Sequence, residues 1–117
     1  MKQMTWLLCG GLGLWIAGCG SYPAPVEKQA NTAAAVRAAQ EVGAQSNPQA
    51  ALHLKLAQEQ LDQAKQLIAD GDTKRAEFVL LRADSDAELA VALAREASAR
   101  AEAQTVQEQL RALKGGR

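Results

Sequence analysis

The sequence predicts an all-α protein, a long antiparallel helical hairpin whose first arm is broken near Gly43 to Pro48. Three observations predict it. Alanine fills 25 of the 117 positions while Val, Ile, Thr and Tyr are scarce between residues 26 and 114, and alanine is the best helix former whereas β-branched and aromatic side chains suit strands. Apolar residues recur at spacings of three and four through long stretches, which is the period of a helix seam. Within residues 26 to 114, glycine and proline occur only at Gly43, Pro48 and Gly71, positions where a helix has to stop or start. Because the seam residues are small, the helices must pack closely.

A chain of 117 residues holds one small domain at most. Thirteen Lys and Arg balance thirteen Asp and Glu, so net charge gives no reason to expect nucleic acid as a partner, and four aromatics supply no stacking platform.

Residues 1–18 form an address. Lys2 is followed by an apolar run from Trp6 to Ala17, interrupted by Gly10, Gly11 and Gly13. A positive start before a short apolar stretch is how a secretory signal is built. The run is too short and glycine-rich to cross ~30 Å of hydrocarbon, which takes ~20 apolar residues. It ends in Ile16-Ala17-Gly18-Cys19, which resembles the lipobox of bacterial lipoproteins. The resemblance implies cleavage before Cys19, with a thioether-linked diacylglycerol and an N-acyl chain on that cysteine. Several acyl chains hold a protein at a membrane where one does so only marginally. Leu8 is too large for the position before Cys9, so Cys9 leaves with the signal, and no thiol remains for a disulfide, a metal or a nucleophile. Gly20, where an aspartate would imply inner-membrane retention, implies the cell outer membrane, facing the periplasm.

The mature chain then follows in order. Residues 19–25 are the lipidated cysteine and a tether, kept extended by Pro23 and Pro25. Residues 26–114 are the helical domain. Pro25 suits a helix start, and Val26 to about Val42 continue it with Ala30, Ala33, Val36 and Ala39 at helical spacing. Gly43 to Pro48 breaks it, with Asn47 as N-cap and Pro48 opening the second helix. Leu54, Ala57, Leu61, Ala64 and Ile68 form the seam of that helix, up to Asp70. Gly71 closes it in the left-handed conformation and Asp72 caps the third helix, so the two lie antiparallel. From Thr73 to about Lys114 the seam runs through Ala76, Leu80, Ala83, Ala87, Ala90, Ala94, Ala97 and Ala101, along a helix of ~63 Å at 1.5 Å per residue.

The second helix is about half as long as the third, which leaves two places for the first. End to end with the second, it covers the far half of the third helix; this is the expected arrangement. Folded back beside the second, it makes a three-helix bundle and leaves Ala103, Val106, Leu110 and Leu113 without an intramolecular partner. A thin alanine core is marginal against the cost of ordering the chain, so burial from a second copy or a partner helix is expected, most of all at the stripe of Val106, Leu110 and Leu113.

Little in the chain suggests catalysis. His53 is the single histidine, with no ligand set of three or four around it, and reads as a helix residue beside the seam. Asp84, Asp86 and Glu88 are an acidic cluster on a helix, which cannot wrap a calcium ion; Lys74, Arg75 and Arg82 are placed to neutralise it. Asp86 is expected to pair across the hairpin with Lys55 or Lys65 and fix helical register. Alternating charges from Arg95 to Lys114 are written like a solvated helix face. No phosphate loop, nucleophile with its base or zinc-peptidase pattern is present. No enzyme, no cofactor, no metal and no small-molecule substrate is expected.

The stretch from Ala64 to Ala90, with Gly71-Asp72, Ala76, Leu80-Leu81-Arg82-Ala83 and Asp86-Ala87-Glu88-Leu89-Ala90, resembles the bacterial domain family numbered 4398 among the domains of unknown function, over roughly residues 30 to 113. The resemblance implies a small lipoprotein, of a kind often encoded near outer-membrane-protein-A-like proteins that bind peptidoglycan, and brings no catalytic residues. The turn from Gly71 to Ala76 also resembles a tetratricopeptide-repeat turn, in a single copy that makes no array. The expected role is a non-catalytic structural or protein-interaction element of the envelope, or else an accessory adaptor subunit of an envelope assembly or transport complex.

Overall fold

The computed structural model describes residues 22–116. The predicted signal segment, with Ile16, Ala17, Gly18 and the lipidation residue Cys19, lies outside them. Three helices follow in order: α1 (Val26–Glu41), α2 (Pro48–Ala69) and α3 (Thr73–Gly115), with a 3-10 turn at Ala44–Ser46 between the first two. The described residues contain no strand.

The helix ends are set by the residues expected to set them. Asn47 accepts from the amides of Gln49 and Ala50, both at 3.0 Å, while Pro48 opens α2. At the other end Gly71 takes φ 82°, where a side chain would strain the backbone. There the Asp72 amide reaches the Leu67 carbonyl at 2.9 Å and the Gly71 amide reaches that of Ile68 at 3.1 Å, the double closure of a Schellman turn. Asp72 then caps α3 by accepting from the Arg75 amide at 3.3 Å. The chain turns back within a few residues, and α2 and α3 lie antiparallel as predicted.

The placement of α1 departs from the end-to-end expectation. Lys28 meets Glu77 and Thr32 meets Leu80, so α1 runs parallel to α3 from its first turns onward. Gly43 at φ 75° and the 3-10 turn reverse the chain, and α1 lies back beside α2 in a three-helix arrangement. The physical reason is burial. Placed against two helices at once, Val36, Ala39 and the unforeseen Thr32 all become buried, whereas an end-to-end arm would press one face onto α3 alone. Ala33 is half-buried and Ala30 stays exposed.

The core is built from small residues around a few leucines. Ala57, Ala64, Ala76, Ala83, Ala87 and Ala90 are fully buried, with Leu54, Leu61 and Leu80 among them. Ile68 is half-buried. The seam of α3 ends at Ala94: Ala97 is half-buried and every described residue from Ser98 onward is exposed.

Candidate functional site

Three features of this frame carry side chains that the fold alone does not require. The first is at the tether. Residues Tyr22 to Pro25 lie along the start of α3 instead of hanging free. Thr73 Oγ1 donates to the Tyr22 carbonyl at 3.0 Å, and the Tyr22 hydroxyl donates to Glu77 Oε2 at 2.6 Å. Lys28 approaches Glu77 Oε1 at 3.5 Å. The Tyr22 hydrogen bond, and less strongly Lys28, hold the Glu77 carboxyl below its ordinary range, and the Glu77 carboxylate holds the Tyr22 phenol above its own. An open groove of about 530 Å³ runs here between the tether, Lys28, Asn31 and Asp84. Neither Tyr22 nor Glu77 stood out in the sequence; the one signal was that Tyr22 is the sole aromatic between Trp15 and Phe78.

The second feature joins α2 to α3. Asp86 is reached by two residues of α2: His53 Nδ1 is 2.8 Å from Oδ1 and Gln60 Nε2 is 2.8 Å from Oδ2. A carboxylate only accepts, so the imidazole proton of this contact is on Nδ1. The expected partners of Asp86 are therefore corrected. Lys55 pairs with Glu59 and Lys65 with Asp62, each on its own helix, because neighbours one turn away are reached without crossing the seam. The expected role, a polar contact across the hairpin that fixes register, is taken by His53 and Gln60 instead. Gln60 Oε1 is buried without a partner.

The helix divides the acidic cluster, setting Asp86 apart from Asp84 and Glu88, which stay one turn apart on the side toward α1. Asp86 faces α2, Asp84 faces the tether groove and Glu88 borders a shallow groove against Ala35 and Ala38 of α1. Lys74, Arg75 and Arg82, expected to neutralise the cluster, form no ion pair among the described residues. Those residues also hold no group of three His, Cys, Asp or Glu able to bind a metal ion, and none of their helices is long and apolar enough to cross a membrane.

The third feature is the far half of α3. Val106, Leu110 and Leu113 are 53%, 51% and 72% exposed, as the folded-back alternative requires. Their stripe is not a continuation of the buried seam. By its spacing that seam continues to Ala97, Ala101, Gln104 and Glu108, and so turns polar. Ala99, Ala103, Val106, Leu110 and Leu113 keep the spacings of four and three, but two positions later, about 160° around the helix at ~100° per residue.

The family described as Domain of unknown function (DUF4398) matches residues 27–106. The chain belongs to it. The match begins in the first turn of α1, spans both breaks and ends at Val106, so Leu110 and Leu113 stand beyond the part matched to DUF4398. No curated protein and no solved structure matches the chain.

Proposed function

We propose that this DUF4398 protein is an outer-membrane lipoprotein facing the periplasm, held by acyl chains on Cys19, and that it acts as a non-catalytic structural or protein-interaction element of the cell envelope. The observation that carries the reading is the free half of α3. An alanine-rich helix of 43 residues, ~64 Å long, keeps a regular apolar stripe where no other part of the described chain covers it. Most helical stability in proteins comes from packing an apolar face, and no described residue covers Val106, Leu110 and Leu113, which a second copy or another protein would bury. The tether supports the same reading from the other end. Tyr22 is fixed to the first turn of α3, so an anchor at Cys19 and the free stripe stand at opposite ends of one helix. A peptidoglycan-binding protein of the outer-membrane-protein-A-like kind is one partner compatible with such a spacer.

The test is photo-cross-linking in intact cells from position 110, with palmitate labelling alongside. A discrete product from position 110, absent when the probe is moved to the polar face at Gln104, supports an interaction element. A self-paired or wall-bound product marks a scaffold, and a product with a transport-complex subunit marks an adaptor. Cys19→Ser is expected to abolish labelling and leave precursor. Normal maturation of that variant would remove the anchor, and a chain with no product from position 110 would remove the interaction role.

A further inference from the structure

The first two and a half turns of α3 carry a surface the bundle does not use. Counting ~100° per residue, Lys74, Arg75, Phe78, Leu81 and Arg82 fall within about 120° of one another, on the side turned away from buried Ala76, Leu80, Ala83 and Ala87. All five are exposed, Phe78 by 61% and Leu81 by 46%. None of their three positive charges forms an ion pair among the described residues. Glu77 accepts from Tyr22 and Lys28, Asp86 from His53 and Gln60, and Asp72 from the Arg75 amide. Asp84 is half-buried and turned toward the tether groove.

The patch lies at the tether end. Tyr22 is fastened to the first turn of α3 through Thr73 and Glu77, and Cys19 precedes it by three residues, at most ~10 Å of extended chain. A bilayer entered by acyl chains on Cys19 would therefore lie at the same end of α3 as Lys74 and Arg75.

We propose that this face of α3, formed by Lys74, Arg75, Phe78, Leu81 and Arg82, rests on an anionic phospholipid surface. The chemistry matches on both counts. Cations close to a negatively charged leaflet are attracted to it, and an aromatic ring flanked by them settles at the boundary between headgroups and acyl chains. A lipid anchor by itself is a single point, around which a rod swivels. The patch adds a second, charge-dependent point, and two points set the direction in which α3 leaves the surface. The proposal rests on the anchored reading above.

The test uses the full chain as cells yield it, with Phe78→Trp as a fluorescent reporter read as a difference from the unsubstituted chain. The same preparation is weighed by mass spectrometry, which reports acylation of Cys19 independently. In vesicles containing phosphatidylglycerol, the Trp emission is expected to shift to the blue and to be quenched by brominated lipids. Both effects should fall in pure phosphatidylcholine, in high salt, and in the triple variant K74Q/R75Q/R82Q, whose helix content is checked by circular dichroism. Acylated chain with a solvent-exposed reporter, or with quenching indifferent to lipid charge and to the three cations, overturns the patch and leaves the anchor standing. If the mass shows no acylation, the anchor reading fails, and partition of that chain onto phosphatidylglycerol vesicles decides the patch. A loss on the order of 100-fold in the triple variant supports it, and an unchanged partition overturns it.

Discussion

The two halves of α3 are written in nearly the same alphabet and live in different surroundings. From Ala76 to Ala94 an alanine seam is buried between α1 and α2; from Ser98 onward every described residue is exposed. Alanine by itself therefore does not make a core. It allows close approach, and the burial comes from Leu54, Leu61, Val36 and Thr32 on the helices that approach. In the far half the larger residues lie on the opposite side, as Val106, Leu110 and Leu113, where no described residue covers them. What holds its helical form is local: alanine's propensity, the Arg100 to Glu96 pair one turn apart, and Lys114 near the C-terminal dipole.

The largest test of this contrast is a pair of truncations. Leu80→Ala removes the largest fully buried side chain and is expected to cost about 2–5 kcal/mol of stability. Leu110→Ala in the isolated chain is expected to stay within ~0.5 kcal/mol, as surface changes do. Equal losses in thermal or urea unfolding would mean that both halves are packed. Asp86→Ala ranks next. It strips the partner from Gln60 Nε2 and His53 Nδ1 and is expected to cost about 1–3 kcal/mol, while Asp86→Asn, which keeps one acceptor, should cost less. A third change acts on the turn: Gly71→Ala forces a Cβ into φ 82° and is expected to cost about 1–2 kcal/mol, with no effect on hydrogen exchange of the amides beyond Ser98. Those amides should already exchange far faster than the ones between Ala76 and Ala94.

The smallest effect is the pH dependence of the tether. The folded protein lowers the Glu77 pKa from 4.5, so its contribution is complete above that value and is lost as pH falls through the lowered one. Tyr22 is raised from 10.0, so its contribution is complete below that value and is lost as pH rises through the raised one. The strap is thus expected to hold between the two limits, and Tyr22→Phe should flatten both edges of the profile when docking of residues 22–25 is followed by a spectroscopic probe. An unchanged profile would detach Tyr22 from the fastening.

Much of this was legible in the residues. Asn47-Pro48 and Gly71-Asp72 bring their caps with them because capping is chemistry between near neighbours, and the helices between them follow from alanine content and spacing. The uncovered stripe at Val106, Leu110 and Leu113 was also visible, as a consequence of one of two arrangements. The sites that escaped were contacts between residues distant in sequence. Tyr22 and Glu77 are 55 positions apart, and His53 and Asp86 are 33 apart; a carboxylate's choice among Lys55, Lys65, His53 and Gln60 depends on rotations that spacing does not specify.

What the sequence determined by itself is therefore local: helices, where they end, which face of each is apolar, and membership in DUF4398 through the pattern that encodes them. Only the tertiary structure decided where α1 goes, because six residues between Val42 and Asn47 accommodate a reversal as well as a continuation and the outcome turns on total burial. That one choice fixed the rest. It laid α1 against the α2–α3 pair, fastened the tether to the start of α3, and left the far half of the longest helix bare.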